Sequence, residues 1–295
     1  EFPEGFSGQK SEYGISTGGQ EGETVRVMLW CDMEGVAGIS VWEQVNGGAP
    51  LYEEGRRLYT AEVNAAVRGC KRAGATEIVV IDGHGAGGPW NFKSLIPEQL
   101  ESGAEYVLGY KWARYIPPLQ QGCDVGLFVG AHAMAGTPDG VLCHTVSSQA
   151  WYNARINNTL VGESGIVAAI CGDFNCPCAF VSGDAATCRE VQELLGSNVV
   201  TAPVKVGLDR YSARHLPAID ACAKIEGGVY SALSNRDWPK PLKFDPPVRF
   251  TVELATPDRA ADFAGKPGVE IENPRFVASQ ANSFWEAWDQ FWYRA

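Results

Sequence analysis

The chain has 295 residues, of which 45% are hydrophobic and 20% are charged, and its formal net charge at pH 7 is -11. This length and composition suffice for a large buried core, so the chain is expected to fold without a partner. The negative charge disfavours nucleic acid and anionic membrane surfaces as partners. No stretch approaches the roughly 20 apolar residues that span a bilayer, which predicts no membrane insertion.

Nine cysteines are scattered along the chain without the paired spacing of a small disulfide-bonded secreted protein. We interpret them as reduced thiols, which predicts a cytoplasmic location. Cys176 and Cys178 flank Pro177, but no second cysteine pair accompanies them. Small buried residues are therefore favoured over a zinc site at this position.

The chain is predicted to have three parts. Residues 1–24 are polar and glycine-rich and lack the cationic start and apolar core of a signal peptide, which favours a flexible N-terminal tail. Residues 25–202 are predicted to form an α/β metal-binding catalytic domain. Residues 203–295 are predicted to form a smaller α+β C-terminal subdomain, because prolines and new apolar runs change the pattern there.

Apolar runs and helical segments alternate through the first two thirds of the chain. Residues 25–30 (VRVMLW) and 77–81 (EIVVI) have the composition of buried parallel strands. The amphipathic segment 52–73 between them predicts a helix that ends at Gly74. These elements form a βαβ unit with a right-handed crossover.

The same alternation continues along the chain. Residues 125–129 (VGLFV) and 179–182 predict strands, with a helix over about 162–171 between them. The fold class is therefore α/β, an open and mainly parallel sheet flanked by helices. Further on, residues 216–232 predict a helix and residues 248–254 (VRFTVEL) a strand. The aromatic segment 284–293 (FWEAWDQFWY) is too apolar to be wholly exposed, so it belongs to a core or an interface.

Residues capable of chemistry follow directly after the predicted strands. Asp32 and Glu34 come after the first strand, and Gly35 lets the backbone turn away. Such a pair is by itself more often a solvated loop than a metal site. In open α/β sheets, however, ligands bind beyond the carboxyl ends of the strands, where His84 and His132 are also predicted to lie.

The histidines and one further glutamate extend this group. His84 lies in a glycine-rich turn, and His144 follows the loop after His132; each alone could be a hydrogen-bonded core histidine, but their clustering near strand ends indicates a site. Glu163 begins a predicted helix, where a carboxylate also stabilises the helix dipole, so both interpretations stay open. His215, the fourth histidine, is assigned to surface or packing.

Three other kinds of chemistry are less consistent with the sequence. The glycine-rich turn at His84 has no GxxxxGK[ST] and no clean GxGxxG that opens a helix, and a histidine occupies its middle, so it does not match a phosphate loop. Cys143 next to His144 is the best nucleophilic cysteine, but adjacent strand residues point to opposite faces. Ser164 does not lie in the GxSxG motif of a nucleophilic serine.

The order of these motifs carries a resemblance to a known family. From residue 25 to the C-terminus the sequence resembles the D-aminopeptidase family of two-zinc peptidases. The matching segments are residues 32–38 (DMEGVAG), 52–60 (YEEGRRLYT), 82–84 (DGH), 130–132 (GAH), 137–138 (TP), His144, 161–165 (VGESG), 246–247 (PP) and 267–271 (PGVEI).

This resemblance implies a function and a set of site residues. Asp32 would bridge two divalent metal ions, most simply Zn²⁺, and His144 would be the catalytic residue, either as nucleophile or as general acid and base. The remaining implied metal ligands are Glu34, His84, His132 and Glu163. The implied activity is release of N-terminal D-amino acids from short peptides or amides by a homo-oligomer such as a ring-like decamer.

Two alternatives and several supporting residues complete the predictions. The same metal site could serve an amidase acting on a non-peptide amide, or the chain could be a non-catalytic metal or small-molecule binding protein. Asp82 is predicted to orient His84, although it could equally be a turn-forming aspartate. Trp90, Trp151 and Tyr152 are candidates for an aromatic substrate pocket, although large aromatic residues usually only pack.

Overall fold

The computed structural model describes residues 24–292, so the predicted tail lies outside the described residues apart from Thr24. Two sheets are formed, a seven-stranded sheet of order β3-β2-β1-β4-β7-β8-β9 and a five-stranded sheet of order β11-β12-β10-β5-β6. The strands are β1 (Arg26–Cys31), β2 (Glu77–Asp82), β3 (Glu105–Val107), β4 (Val125–Ala131), β5 (Trp151–Ile156), β6 (Thr159–Val161), β7 (Cys178–Asp184), β8 (Val200–Asp209), β9 (Ser212–His215), β10 (Val248–Leu254), β11 (Val269–Asn273) and β12 (Phe276–Ala281). The α-helices are α1 (Tyr52–Arg72), α2 (Pro117–Gln120), α3 (Glu163–Asp173), α4 (Ala185–Leu195), α5 (Ala218–Asn235) and α6 (Phe284–Trp292).

The larger sheet is parallel except for its edge strand β9, which pairs antiparallel with β8. Side chains of β1 alternate between two hydrophobic cores: Met28 and Trp30 lie in one, and Leu29 lies in the other. Helices α1 and α5 cover one face, while α3 and the second sheet cover the opposite face. The predicted α/β class with a mainly parallel sheet is confirmed.

The smaller sheet is antiparallel and carries an aromatic core. Strand β10 alternates buried and half-buried residues, and its Phe250 ring lies 4.9 Å from the ring of Phe291 on α6. Trp288 of the same helix is fully buried and donates its indole hydrogen to the carbonyl of Ala113 at 2.8 Å. The apolar face of α6 therefore belongs to the core of the subunit.

The two sheets do not follow the predicted division of the chain at residues 202 and 203. That point falls inside β8, and the smaller sheet takes β5 and β6 from the segment before it. The assignment of separate domains stays a prediction. Among the helices between residues 24 and 292, none combines the length and apolar character that crossing a bilayer requires.

Candidate metal centre

The sheet order brings the predicted site residues together at one edge. Strands β2, β1 and β4 are neighbours, and they end immediately before or close to His84, Asp32 and His132 respectively. Parallel strands present their carboxyl ends at the same edge of a sheet, so three segments distant in sequence converge there. All three side chains are buried, and Asp32 lies between the two imidazoles.

The turn after β1 is held closely against the end of β4. Asp32 donates its backbone N–H to the carbonyl of Val129 at 2.9 Å, and Gly35 donates to the carbonyl of Gly130 at 2.8 Å. A Cβ atom on Gly35 would lie 1.9 Å from the oxygen of Ala131, which leaves no room for any side chain. This close approach directs both Asp32 and Glu34 into the cluster.

Asp32 is shared between two groups of side chains. Its Oδ1 lies 3.0 Å from Nδ1 of His84, and Oε2 of Glu34 lies 3.2 Å from the same nitrogen. Its Oδ2 lies 3.3 Å from Nε2 of His132, and Oε1 of Glu163 lies 3.2 Å from that nitrogen. Each group thus contains one imidazole nitrogen and two carboxylates, with Asp32 common to both.

Backbone carbonyls determine which nitrogen of each imidazole carries a hydrogen. His84 Nε2 donates to the carbonyl of Val45 at 2.7 Å, and His132 Nδ1 donates to the carbonyl of Ala133 at 3.0 Å. In the neutral rings the opposite nitrogens are therefore lone pairs aimed at carboxylate oxygens. A nitrogen lone pair and a carboxylate oxygen are both acceptors, so they repel each other unless a cation lies between them.

The donor set fits divalent metal ions of the zinc type. Nitrogen and carboxylate oxygen are ordinary zinc ligands, and metal-bound histidines normally donate their second N–H to a carbonyl or carboxylate. Within residues 24–292, His132 Nε2 and Glu34 Oε2 are buried without a hydrogen-bond partner. A bound metal ion would satisfy both atoms.

The electrostatics of the cluster also favour a cation. Burial opposes the charge on Asp32, but the adjacent imidazoles of His132 and His84 outweigh this effect and hold the pKa of the carboxyl well below its usual range. Burial likewise opposes charge on the two imidazoles, yet Glu34 and Asp32 raise the pKa of His84, and Glu163 and Asp32 raise that of His132, well above the ordinary value. Protons therefore compete with metal for the same positions.

His144 lies against this cluster but is oriented differently. Its ring stacks on the His132 ring at 4.0 Å, and the Trp42 ring approaches it edge-on at 5.7 Å. Nδ1 donates to the carbonyl of Leu142 at 2.9 Å, which leaves Nε2 as a lone pair 3.8 Å from Glu163 Oε1. Burial, followed by the charge on His132, lowers the pKa of His144, so the ring is a neutral base.

The backbone around His144 is strained on both sides. Leu142 has φ +51° and Val146 has φ +60°, values that are costly for any side chain and most costly for a β-branched one. Leu142 N donates to Arg210 O at 2.8 Å and Val146 N donates to Glu163 Oε1 at 2.7 Å. These bonds maintain the unusual conformation and fix the position of the imidazole.

The prediction that Cys143 lies in a strand is wrong, because residues 141–143 form no strand in the structure. Cys143 nevertheless does not pair with His144. Its thiol donates to the carbonyl of Thr137 at 3.4 Å, while the imidazole hydrogen is used by Leu142. A cysteine–histidine nucleophile is therefore not assembled here.

Asp82 holds the backbone beside His84 and does not touch its ring. Oδ1 accepts from the Tyr59 hydroxyl at 3.0 Å and from His84 N at 3.2 Å, and Oδ2 accepts from the N–H groups of Ser94 and Leu95. The carbonyl of Val45 binds the imidazole and Asp82 binds the backbone N–H of His84, so the predicted supporting role of Asp82 stays a prediction. A backbone carbonyl 39 residues away leaves no signal in the sequence.

Sequence reasoning also missed Lys205, which anchors the turn that carries Glu34. Its buried ammonium donates to the carbonyls of Val36 and Ile39 at 2.9 and 2.7 Å, and also to that of Glu34. The only signal in the sequence that could have indicated a buried lysine was its position between two valines of a strand. His215 accepts the N–H of Gly38 at 2.9 Å through Nδ1, in keeping with the packing role assigned to it.

A cavity of about 270 Å³ opens onto the cluster and His144. The predicted pocket aromatics lie outside its lining: Trp90 packs on Gly47 and Gly48, where a Cβ on Gly47 would lie 2.5 Å from the indole. Trp151 belongs to the aromatic core, with its ring 5.8 Å from that of Phe291, yet one side of it lines a second cavity together with Tyr152. The substrate-contact roles of these aromatics stay predictions.

An open parallel sheet with two histidines and three carboxylates assembled at its strand ends defines the class of metal-dependent hydrolases. The chain belongs to the D-aminopeptidase family, whose family model matches residues 25–293. The resemblance predicted from the order of the motifs is thereby confirmed, and the protein is an enzyme of the aminopeptidase type.

Two relatives from Bacillus subtilis illustrate the similarity. A D-aminopeptidase of strain 168 is 32% identical over 271 residues, which covers 90% of this chain and 94% of the relative. A solved structure, described as the Zn-dependent D-aminopeptidase DppA, a self-compartmentalizing protease, matches with a TM-score of 0.83 and 30% identity. That match covers 91% of this chain and 96% of the other.

Proposed function

We propose that this enzyme releases N-terminal D-amino acids from short peptides and amides through a two-metal centre. The observation that carries the proposal is the sharing of Asp32, whose two carboxylate oxygens each face a different imidazole nitrogen. One residue that bridges two such groups is the expected arrangement for paired metal ions. Family membership supports the D-amino acid preference and the aminopeptidase activity.

The proposed metals are two zinc ions per chain. Zinc is supported by the nitrogen and oxygen donors of the cluster and by the zinc dependence of the similar solved structure. Asp32 would contact both ions, and the division of the other ligands follows the two groups. His84 and Glu34 lie on the side of Asp32 Oδ1, and His132 and Glu163 lie on the side of Oδ2.

The chemistry divides between the metals and His144. When bound, two zinc ions would polarise the scissile carbonyl and lower the pKa of water, which would supply several kcal/mol of transition-state stabilisation. His144 Nε2 faces the cluster as a lone pair, so it is placed to take a proton from the attacking water and return it to the leaving amine. The strained segment between Leu142 and Val146 keeps this nitrogen in position.

Assembly and location extend the proposal beyond the single chain. The similar structure is a self-compartmentalizing protease, which supports a ring-like homo-oligomer that admits only short peptides. Light scattering combined with size-exclusion chromatography tests this, and a monomeric active enzyme would contradict it. A cytoplasmic location is supported by the nine free thiols, because exported proteins commonly oxidise theirs.

The test is hydrolysis of matched D- and L-aminoacyl amides and dipeptides by the zinc-loaded protein, with and without chelator. Cleavage that is restricted to D substrates, is lost with chelator and returns with zinc is the expected result. Cleavage of only non-peptide amides would favour an amidase with the same metal site. Zinc binding without cleavage of any substrate would favour the non-catalytic alternative.

A further inference from the structure

A second cavity of about 390 Å³ lies beside the metal-side cavity. His144 and Ser148 line both cavities, so the imidazole stands between them. If the proposed function holds, the scissile bond lies at His144, and the part of the substrate beyond that bond extends into this second space.

Arg210 provides the only fixed charge in the lining of this cavity within the described part of the chain. It lies in the turn between β8 and β9, and its guanidinium carbon lies 5.7 Å from the ring centroids of both Trp42 and Tyr211, within the range of a cation–π contact. Nη2 donates to the carbonyl of Cys143 at 3.2 Å, while the buried Nε has no hydrogen-bond partner among residues 24–292. No carboxylate of those residues forms an ion pair with it.

A guanidinium without a carboxylate partner in a cavity calls for an anionic ligand. Its planar N–H groups match the two oxygens of a carboxylate, and the hydrogen bond to Cys143 and the two cation–π contacts restrain its position. A short peptide carries one such anion, the C-terminal carboxylate, one or two residues after the scissile bond. The metal-side cavity contains Asp32, Glu34 and Glu163 instead, so the two cavities differ in charge.

We propose that Arg210 binds the C-terminal carboxylate of di- and tripeptide substrates and so selects short peptides over C-terminal amides. This inference rests on the proposed function, because the scissile bond must lie at His144. It assigns the second cavity to the leaving part of the substrate. Arg210 is a specificity-determining residue in this arrangement, and it also supports the turn before His144.

The test compares kcat/KM for D-alanyl-D-alanine and for its C-terminal amide in the wild type and three variants. Arg210→Met is expected to lower kcat/KM for the free acid by about 10- to 100-fold, the effect of losing a charge-assisted hydrogen bond, and to change that for the amide less than 3-fold. Arg210→Lys keeps the charge, so its kcat/KM for the free acid should lie between those of the wild type and Arg210→Met. Arg214→Met, an exposed arginine on the same hairpin, is the matched control and should change neither substrate.

A binding measurement separates recognition from catalysis. Calorimetric titration of zinc-loaded His144→Asn protein with D-alanyl-D-alanine is expected to show about 10-fold weaker binding once Arg210→Met is added. Equal losses for the acid and the amide in Arg210→Met would show that Arg210 acts only through the His144 turn and would overturn the proposal. Amide cleavage by the wild type without a preference for the acid overturns this inference alone, whereas cleavage of neither substrate overturns the proposed function as well.

Discussion

The three histidines at the cluster do not all present the same nitrogen, because different backbone carbonyls accept their ring hydrogens. Val45 takes the Nε2 hydrogen of His84, so Nδ1 faces the carboxylates. Ala133 and Leu142 take the Nδ1 hydrogens of His132 and His144, so in these two rings Nε2 faces the site. At the residue scale, the carbonyl partner decides which nitrogen of each imidazole presents its lone pair to the site.

Substitution of His144 should affect turnover without affecting metal content. His144→Asn removes the proton-transfer group, so kcat is expected to fall by about 10²- to 10⁴-fold, the usual contribution of general acid–base catalysis. Zinc stoichiometry, measured by inductively coupled plasma mass spectrometry, should stay at two per chain. His132→Asn is the comparison, and it should lose metal as well as activity. Loss of zinc in both variants would instead make His144 a ligand.

Glu62 makes the stability of the fold depend on pH. Its side chain is buried, which raises the pKa to about 8, against the opposing effects of the Ala37 N–H and of Lys205. The native state therefore keeps a proton that the unfolded chain releases above about pH 4.5. The stabilisation is complete below that pH and is lost as the pH rises towards 8.

Urea denaturation of the wild type and Glu62→Gln between about pH 5 and 7.5 tests this, because Lys205, whose pKa burial lowers to about 8, stays charged over most of that range. The amide introduced by the substitution does not titrate, so the free energy of unfolding of the wild type should fall relative to the variant by the order of 3 kcal/mol. The difference between the two proteins cancels any pH effect of metal binding. A difference independent of pH would show that Glu62 is ionised throughout.

At the scale of elements, the turn after β1 depends on β8 for its shape. The turn contributes Asp32 and Glu34 to the cluster, while three of its carbonyls accept hydrogen bonds from Lys205 on β8. Glu62 on α1 accepts the N–H of Ala37 in the same turn at 2.8 Å. A strand and a helix thus fix the ligand-bearing turn from two directions.

Lys205→Met is expected to weaken zinc binding as well as the fold. Methionine fills the space of the lysine stem but leaves three carbonyls with fewer partners, which should cost about 1–3 kcal/mol of stability. Zinc affinity, measured by competition with a chromophoric chelator, should fall by about 10-fold or more, as for other groups that support metal ligands.

Lys224→Met is the matched control for this substitution. Lys224 also donates to a backbone carbonyl, that of Pro203, but its side chain is exposed. Its loss should change the free energy of unfolding by no more than about 0.5 kcal/mol and leave zinc affinity unchanged. If Lys205→Met destabilised the fold yet bound zinc with wild-type affinity, the lysine would serve stability alone.

On the scale of the whole molecule, the cluster lies between two hydrophobic cores on opposite faces of one sheet. Three buried carboxylates converge there, and metal ions that bind only the folded chain would stabilise it. Metal and fold are therefore expected to be linked.

Removal of metal should lower the melting temperature and abolish activity together. Protein treated with chelator and dialysed at neutral pH is expected to lose about 3 kcal/mol of stability relative to protein with zinc at 100 times its dissociation constant. Differential scanning calorimetry measures the loss, and zinc addition should reverse it. An unchanged melting temperature would mean that the cluster is not a metal site.

The elements and the chemical class were predictable because local signals specify them. Buried apolar runs predicted β1, β2, β4 and β10 close to their observed bounds, and amphipathic spacing predicted α1. Parallel strands present their carboxyl ends at one edge, so Asp32, His84 and His132 could be placed near each other before any coordinates. The order of the motifs along the chain also predicted the family to which the chain belongs.

Only the tertiary structure decided how these groups act. His84 binds the carbonyl of Val45. Val36 accepts a hydrogen bond from Lys205, and Leu142 donates one to Arg210; the residues of these two pairs are more than 60 positions apart in the sequence. These contacts use backbone carbonyls and N–H groups, which every residue possesses, so no residue type marks them in advance. The sequence by itself determined which side chains gather at the edge of the sheet. Packing between separate segments determined which nitrogen of His84 faces the site and which residues hold the turns that carry Glu34 and His144.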